Sequence, residues 1–207
     1  MPERKVTRHG LEAFLAGLPP VPGNSTLRVG VVPGLVQFNL RGDPSNRDFT
    51  AAAARALGQD LPLRPNRFSE GDHRAFWMGP DEWLIVSASQ PGRGLRAALE
   101  GLESVPGTAV NDVSAGQVCL SLAGEPAREV LAKGCTLDFH PDVFGVGNCA
   151  QSGLARATML VAQVTGEPEF ELYVRRSYAD YLARWLHHSG REFGIKFYVT
   201  QDPRSRE

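Results

Sequence analysis

Hydrophobic and polar positions along the chain change period several times, and each change marks an element. Val36, Phe38 and Leu40 alternate with Gln37, Asn39 and Arg41, the period of a half-buried strand, which predicts a strand over about residues 27–41. Phe49, Ala52, Ala53 and Ala56 recur at spacings of three and four in an alanine-rich stretch closed by Gly58, which predicts a helix over 47–57. Ala75-Phe76-Trp77-Met78 and Trp83-Leu84-Ile85-Val86 flank Gly79-Pro80-Asp81-Glu82, so two aromatic and β-branched runs around a turn composition predict a hairpin. Leu95, Ala98, Leu99 and Leu102 repeat helically before Ala109-Val110, and the order so far is β-α-β-β-α-β.

The second part of the chain repeats that order. Val118, Leu120 and Leu122 alternate as a strand, and a helix is expected over 125–133, with Pro126 in its first turn and Gly134 past its end. Strands over 155–164 and 170–174 surround Thr165-Gly166-Glu167-Pro168, a hairpin turn by composition. Ser177 and Asp180 are spaced as a capping pair for a helix whose stripe of Leu182, Trp185 and Leu186 runs to Gly190, and Ile195, Phe197 and Val199 close the pattern as a strand. Two successive β-α-β-β-α-β units predict an α+β chain of two pseudo-repeated ferredoxin-like halves, with helices on one face of mainly antiparallel sheets. The expected divisions are an arm or linker over 1–25, a first half over 26–113, a second half over 114–200 and a tail over 201–207. Leu11 to Leu18 gives the arm a short amphipathic piece, and the proline run that follows rules out continued helix.

At 207 residues the chain is long enough to bury roughly 70% of its unfolded surface without disulfides or a structural metal. A formal charge of -1 gives no sequence-wide attraction to nucleic acid or to an anionic membrane surface. The odd cysteine count of 3, at positions 119, 135 and 149, is neither a disulfide framework nor a redox pair and fits a reducing compartment. The first residues lack the apolar core of a secretory signal and no window approaches a membrane span, so a soluble, cytoplasmic protein is expected.

Candidate chemistry is sparse. Gly92-Arg93-Gly94-Leu95-Arg96-Ala97 matches a dinucleotide-binding pattern, with Asp112 about twenty residues on, but Ser87-Ala88-Ser89-Gln90-Pro91 separates it from its strand; a glycine-rich turn before an ordinary helix is favoured. Cys135, His140 and Cys149 lack the paired knuckles of a zinc site, and no metal is expected. His187 and His188 suit a helix C-terminus. No nucleophile elbow is present, and Glu169 and Glu171 read as the polar face of a strand. Asp112 is placed to accept a backbone hydrogen bond from two residues on, stabilising the crossover between the halves, while Trp77 and Trp83 read as core aromatics.

Four segments carry a resemblance. Trp77 to Leu84, Asp112-Val113-Ser114-Ala115-Gly116-Gln117, Ala132 to Pro141 and the Ser177-Tyr178-Ala179-Asp180-Tyr181-Leu182 helix start together resemble the gamma subunit of heterotetrameric sarcosine oxidase, over roughly residues 26 to 200. The resemblance implies an aminomethyltransferase-like fold without its C-terminal barrel. It further implies a subunit without catalytic residues or a cofactor of its own, whose partners are the alpha, beta and delta subunits, chiefly alpha. FAD, FMN and NAD would reside in alpha and beta and zinc in delta. The complex would demethylate sarcosine oxidatively, with tetrahydrofolate accepting the one-carbon unit. A stand-alone folate-binding or aminomethyl-transfer module is the alternative. The segment over 135–148 is too apolar for an idle loop, so Phe139, His140 and Phe144 are expected either to meet a partner subunit or to pack over the chain's own core.

Overall fold

The computed structural model of the chain describes residues 10–19, 23, 25–88 and 92–200. Residues 1–9, 20–22 and 24 of the expected arm, Ser89 to Pro91, and the tail over 201–207 lie outside that set. A short helix α1 (Glu12–Ala16) precedes strands β1 (Leu27–Val32) and β2 (Leu35–Arg41). The single strand expected over 27–41 is therefore two, and they join different sheets. Pro33 removes a ladder donor and Gly34 turns to φ 74°, which together break the strand and redirect the chain.

Helix α2 (Arg47–Leu57) spans the predicted interval, opened by the Asn46 side chain, which accepts from Asp48 N. Strands β3 (Phe68–Glu70), β4 (Arg74–Gly79) and β5 (Glu82–Ala88), helix α3 (Gly92–Glu100) and strand β6 (Ala109–Asp112) complete a sheet ordered β3-β4-β5-β2-β6, antiparallel throughout. Apart from the short β3, this is the predicted β-α-β-β-α-β unit.

The second unit comprises β7 (Gln117–Ala123), α4 (Ala127–Ala132), β8 (Cys149–Leu154), β9 (Ala157–Thr165), β10 (Glu169–Arg175), α5 (Arg176–Ser189) and β11 (Ile195–Val199). Its sheet is ordered β11-β1-β7-β10-β9-β8, with β1 wedged between β7 and β11, antiparallel to the first and parallel to the second. One local expectation is corrected. Helix α5 begins at Arg176 without a side-chain cap, and Asp180 instead bonds Arg184 Nε at 2.8 Å, so the Ser177–Asp180 capping pair does not form. Gly134 lies just past the end of α4, as expected, and also marks a close contact, since a Cβ there would stand 2.5 Å from the Trp185 ring.

The two sheets lie back to back with their helices outside. Phe38, Phe49, Trp83, Ile85 and Leu99 fill the core between the five-stranded sheet and its helices, and Leu120, Leu131, Phe170, Leu172 and Leu182 fill that of the six-stranded sheet. Phe76, Leu84, Val86, Cys119, Leu160 and Tyr173 form a third core between the sheets. Alternation along β10 serves both layers: Phe170, Leu172 and Val174 face the helices, and Tyr173 faces the other sheet. The N-terminal segment belongs to the same packing, because Leu11 and Phe14 are buried and the Phe14 ring meets Phe197 edge-on at 5.1 Å. Among the described residues no helix is long and apolar enough to cross a membrane.

Candidate functional site: the layer between the sheets and the stitched loops

The alternation that places Tyr173 between the sheets places Glu171 there too. Its side chain is 11% exposed, so the strand face read from sequence as merely polar is buried against the other sheet. Burial of a carboxylate demands partners. Arg74 Nη1 on β4 ion-pairs Glu171 Oε1, and the Tyr173 hydroxyl donates to Glu171 Oε2 at 2.6 Å. Arg74 also donates through Nε and Nη2 to Glu70 Oε1, at 3.1 and 2.9 Å. Burial works against the Arg74 charge, but Glu171, Tyr173 and Glu70 hold its pKa above the usual value. Burial and the Glu171 charge push the Tyr173 phenol well up. The cluster thus ties one sheet to the other, with both Glu171 oxygens engaged.

The thiols of this layer are unreactive by environment. Burial and then Glu171 push Cys119 well up, and burial raises Cys149 to about 12, so both are protonated near neutral pH. Cys135 sits elsewhere, in the helix-side core with its Sγ 3.5 Å from Ser152 Oγ, and the His140 side chain is 63% exposed. The fold does not bring Cys135, His140 and Cys149 together. Among the described residues no group of three or more His, Cys, Asp or Glu is arranged for a metal ion.

The Asp112 segment is a splice between the halves. Asp112 Oδ1 accepts from Ser114 N at 2.9 Å, and its Oδ2 ion-pairs Arg96. Ser114 Oγ accepts from Gln37 N at 2.8 Å, and Val113 N donates to Gln37 O at 2.9 Å, which fixes the entry to β7 against β2. Arg176 Nε donates to Ala115 O at 2.8 Å, so the start of α5 is anchored on the same turn. Partial burial pushes the Asp112 carboxyl up, yet Ser114 and Arg96 outweigh it and leave its pKa below the usual carboxylate value. Gly92 and Gly94 lie within the first turn of α3, and β2 separates β5 from β6, so the glycines do not form the strand-to-helix phosphate turn of a dinucleotide fold. Trp83 is core, its Nε1 donating to Pro62 O at 2.8 Å, and Trp77 is half-buried on β4.

Phe139 and Phe144 are 5% and 6% exposed and pack in the chain's own core, 5.4 Å apart and against Phe170 at 5.7 and 6.3 Å. The Arg128 guanidinium lies over the Phe170 ring and donates to the carbonyls of Phe139 and Phe144. These rings therefore pack over the chain's own core, one of the two uses expected for the segment. His140 remains at the surface, with Val143 and Val146 exposed beside it in sequence at 57% and 53%. This loop is stitched to the loop of the first half that exposes Leu63 at 57%. An Arg67–Asn148 bridge, Phe68 N to Gly147 O at 3.2 Å and Cys149 N to Asn66 O at 3.0 Å make the seam. Leu63, Arg128 and the seam itself escaped the sequence reading; the sequence does signal the seam weakly, through a long excursion in each half, 60–72 and 135–148.

The model of the family described as sarcosine oxidase, gamma subunit family, matches residues 41–192. A chain of the heterotetrameric sarcosine oxidase of Corynebacterium sp. U-96, solved in complex with pyrrole 2-carboxylate, is 27% identical with a TM-score of 0.82, covering 91% of this chain and 97% of that one. Glycine cleavage system aminomethyltransferase T from Bartonella henselae is 16% identical with a TM-score of 0.58, covering 84% of this chain and 48% of that one, a likeness of fold alone. A search among curated proteins found no match.

Proposed function

The chain belongs to the sarcosine oxidase gamma subunit family, and from that we propose that it is a non-catalytic assembly subunit of a heterotetrameric sarcosine oxidase. In this reading it packs chiefly against the alpha subunit, in company with beta and delta. The assembled enzyme demethylates sarcosine oxidatively to glycine, releases the one-carbon unit to tetrahydrofolate or as formaldehyde, and produces hydrogen peroxide. FAD, FMN, NAD and zinc belong to the other subunits.

The observation that carries the proposal is the end-to-end likeness to a chain of such a heterotetramer, 97% of which is covered. The chemistry of the chain supports it. Glu171 is engaged by Arg74 and Tyr173, Asp112 by Ser114 and Arg96, and the Cys119 and Cys149 thiols are held protonated, so the groups best placed for chemistry serve the fold. The stitched loops offer what an assembly subunit needs: Leu63, Val143 and Val146 exposed on a hydrogen-bonded frame, with His140 beside them. The proposal is tested on the isolated full chain, which is expected to be colourless and to oxidise no sarcosine. Flavin absorbance that persists through gel filtration would overturn it, and tight tetrahydrofolate binding by the isolated chain would favour a stand-alone folate protein instead.

A further inference from the structure

The six-stranded sheet ends on β11, whose far edge pairs with no strand among the described residues. Thr200 N donates to Val31 O on the β1 side. Because successive residues of a strand turn their backbone groups to opposite sides, Phe197 and Val199 direct N–H and C=O away from β1. The opposite edge, β8, is different: it is tied to the first half, where Gln151 Nε2 donates to Met78 O at 2.7 Å. An unpaired edge of this kind is a template for another strand.

A cleft of about 790 Å³ runs beside β11, within the range of ligand-sized sites. Leu15, Leu18 and Phe197 give it an apolar wall, and His187, His188 and Arg191 form a basic rim at the end of α5. Among the described residues that line it, none is acidic. Glu192, next in sequence, is engaged by Lys133, and neither His188 nor Arg191 makes an ion pair among the described residues. Burial, followed by the charges of Arg191 and His188, holds His187 below the usual histidine pKa, so the positive charge of the rim rests chiefly on Arg191.

We propose that β11 and this cleft receive an extended segment of a partner subunit, added to the six-stranded sheet as its seventh strand, its apolar side chains set into the cleft and an acidic side chain against Arg191. The inference rests on the assembly role proposed above. In such strand addition the backbone ladder supplies affinity and alternate side chains supply selectivity. A second copy of this chain is a poor occupant, because Lys196 is exposed on β11 and edge-to-edge pairing would set basic groups against basic groups.

Two variants of the full chain test it. Val199→Pro removes an outward donor without breaking a bond to β1, and Arg191→Glu reverses the rim charge. Each is expected to lower the yield of co-purified partner subunits about tenfold or more, the effect of losing a few hydrogen bonds or a charge pair, while the isolated variants keep their melting temperature. Hydrogen exchange on the unsubstituted protein is an independent reading: the Phe197 and Val199 amides are expected to exchange fast in the isolated chain and slowly in the complex. Equal exchange in both states, or amides already slow in the isolated chain because its own terminal residues lie on the edge, would overturn the inference. So would normal assembly of both variants. If the unsubstituted chain draws no partner at all, the assembly role fails first and this inference falls with it.

Discussion

Phe144 decides between two uses of one apolar loop. Its ring lies 5.4 Å from Phe139 and 6.3 Å from Phe170, its carbonyl accepts from Arg128, and it is 6% exposed. Truncating such a residue costs about 3–5 kcal/mol, and in a chain of this size each kcal/mol lowers the melting temperature by about 2–4 °C. Phe144→Ala is therefore expected to melt about 6–20 °C lower, and an unchanged melting curve would remove the ring from the core. Asp112 gives a prediction in pH. Its folded pKa lies below its unfolded value of about 3.9, so the stability it contributes is complete above that value and fades as pH falls through the folded pKa. Asp112→Asn should lower the melting temperature most at neutral pH, with the gap to the unsubstituted chain narrowing as pH falls through the folded pKa of Asp112; a gap that stays constant into acid would exclude the carboxylate charge as its source. Residues differ in how readable they are. The Asp112 turn was legible because its partner is two positions away, whereas Glu171 was misread because alternation reveals that a strand has two faces without revealing that both are covered.

Elements governed by neighbours in sequence were legible, and those governed by distant partners were not. Helix α2 falls on the predicted residues because its cap and apolar stripe are local. Strand β1 was merged with β2 because both alternate, and nothing local announces that β1 pairs with β7 and β11 far along the chain. Strand β8 escaped because Gln151-Ser152-Gly153 has a loop composition and forms a strand only by pairing with β9. The insertion of β1 makes one position intolerant. Gly124, after β7, sits at φ 121°, and a Cβ there would stand 2.1 Å from Thr26 O, just ahead of β1. Gly124→Ala combines backbone strain with a backbone clash, expected to cost about 2–4 kcal/mol or more. Thermal melting checks this: a loss below about 1 kcal/mol would mean that β1 does not approach the β7 turn as described.

On the scale of the whole molecule, two sheets share a largely apolar layer that holds one charged cluster. Arg74 and Glu171 join the sheets across that layer, so removing one partner strands the other's charge. Arg74→Met is expected to cost about 3–5 kcal/mol, with much of the loss recovered when Glu171→Leu is added. Chemical denaturation of the single and double variants checks the coupling, and additive losses would show that the two side chains act independently. The two-half α+β plan was legible from element order, and the family from four dispersed motifs. How the halves face each other was not, because the intersheet core draws on residues that each strand presents as its second face. The central claim is that this chain serves by assembling with catalytic subunits. Purification of the tagged full chain from its native source, followed by gel filtration, tests that most directly. Co-elution with flavin-bearing large subunits in equal molar amount, together with sarcosine oxidase activity, is expected; elution as a free monomer, with the flavoprotein and its activity intact in separate fractions, would rule out the assembly role.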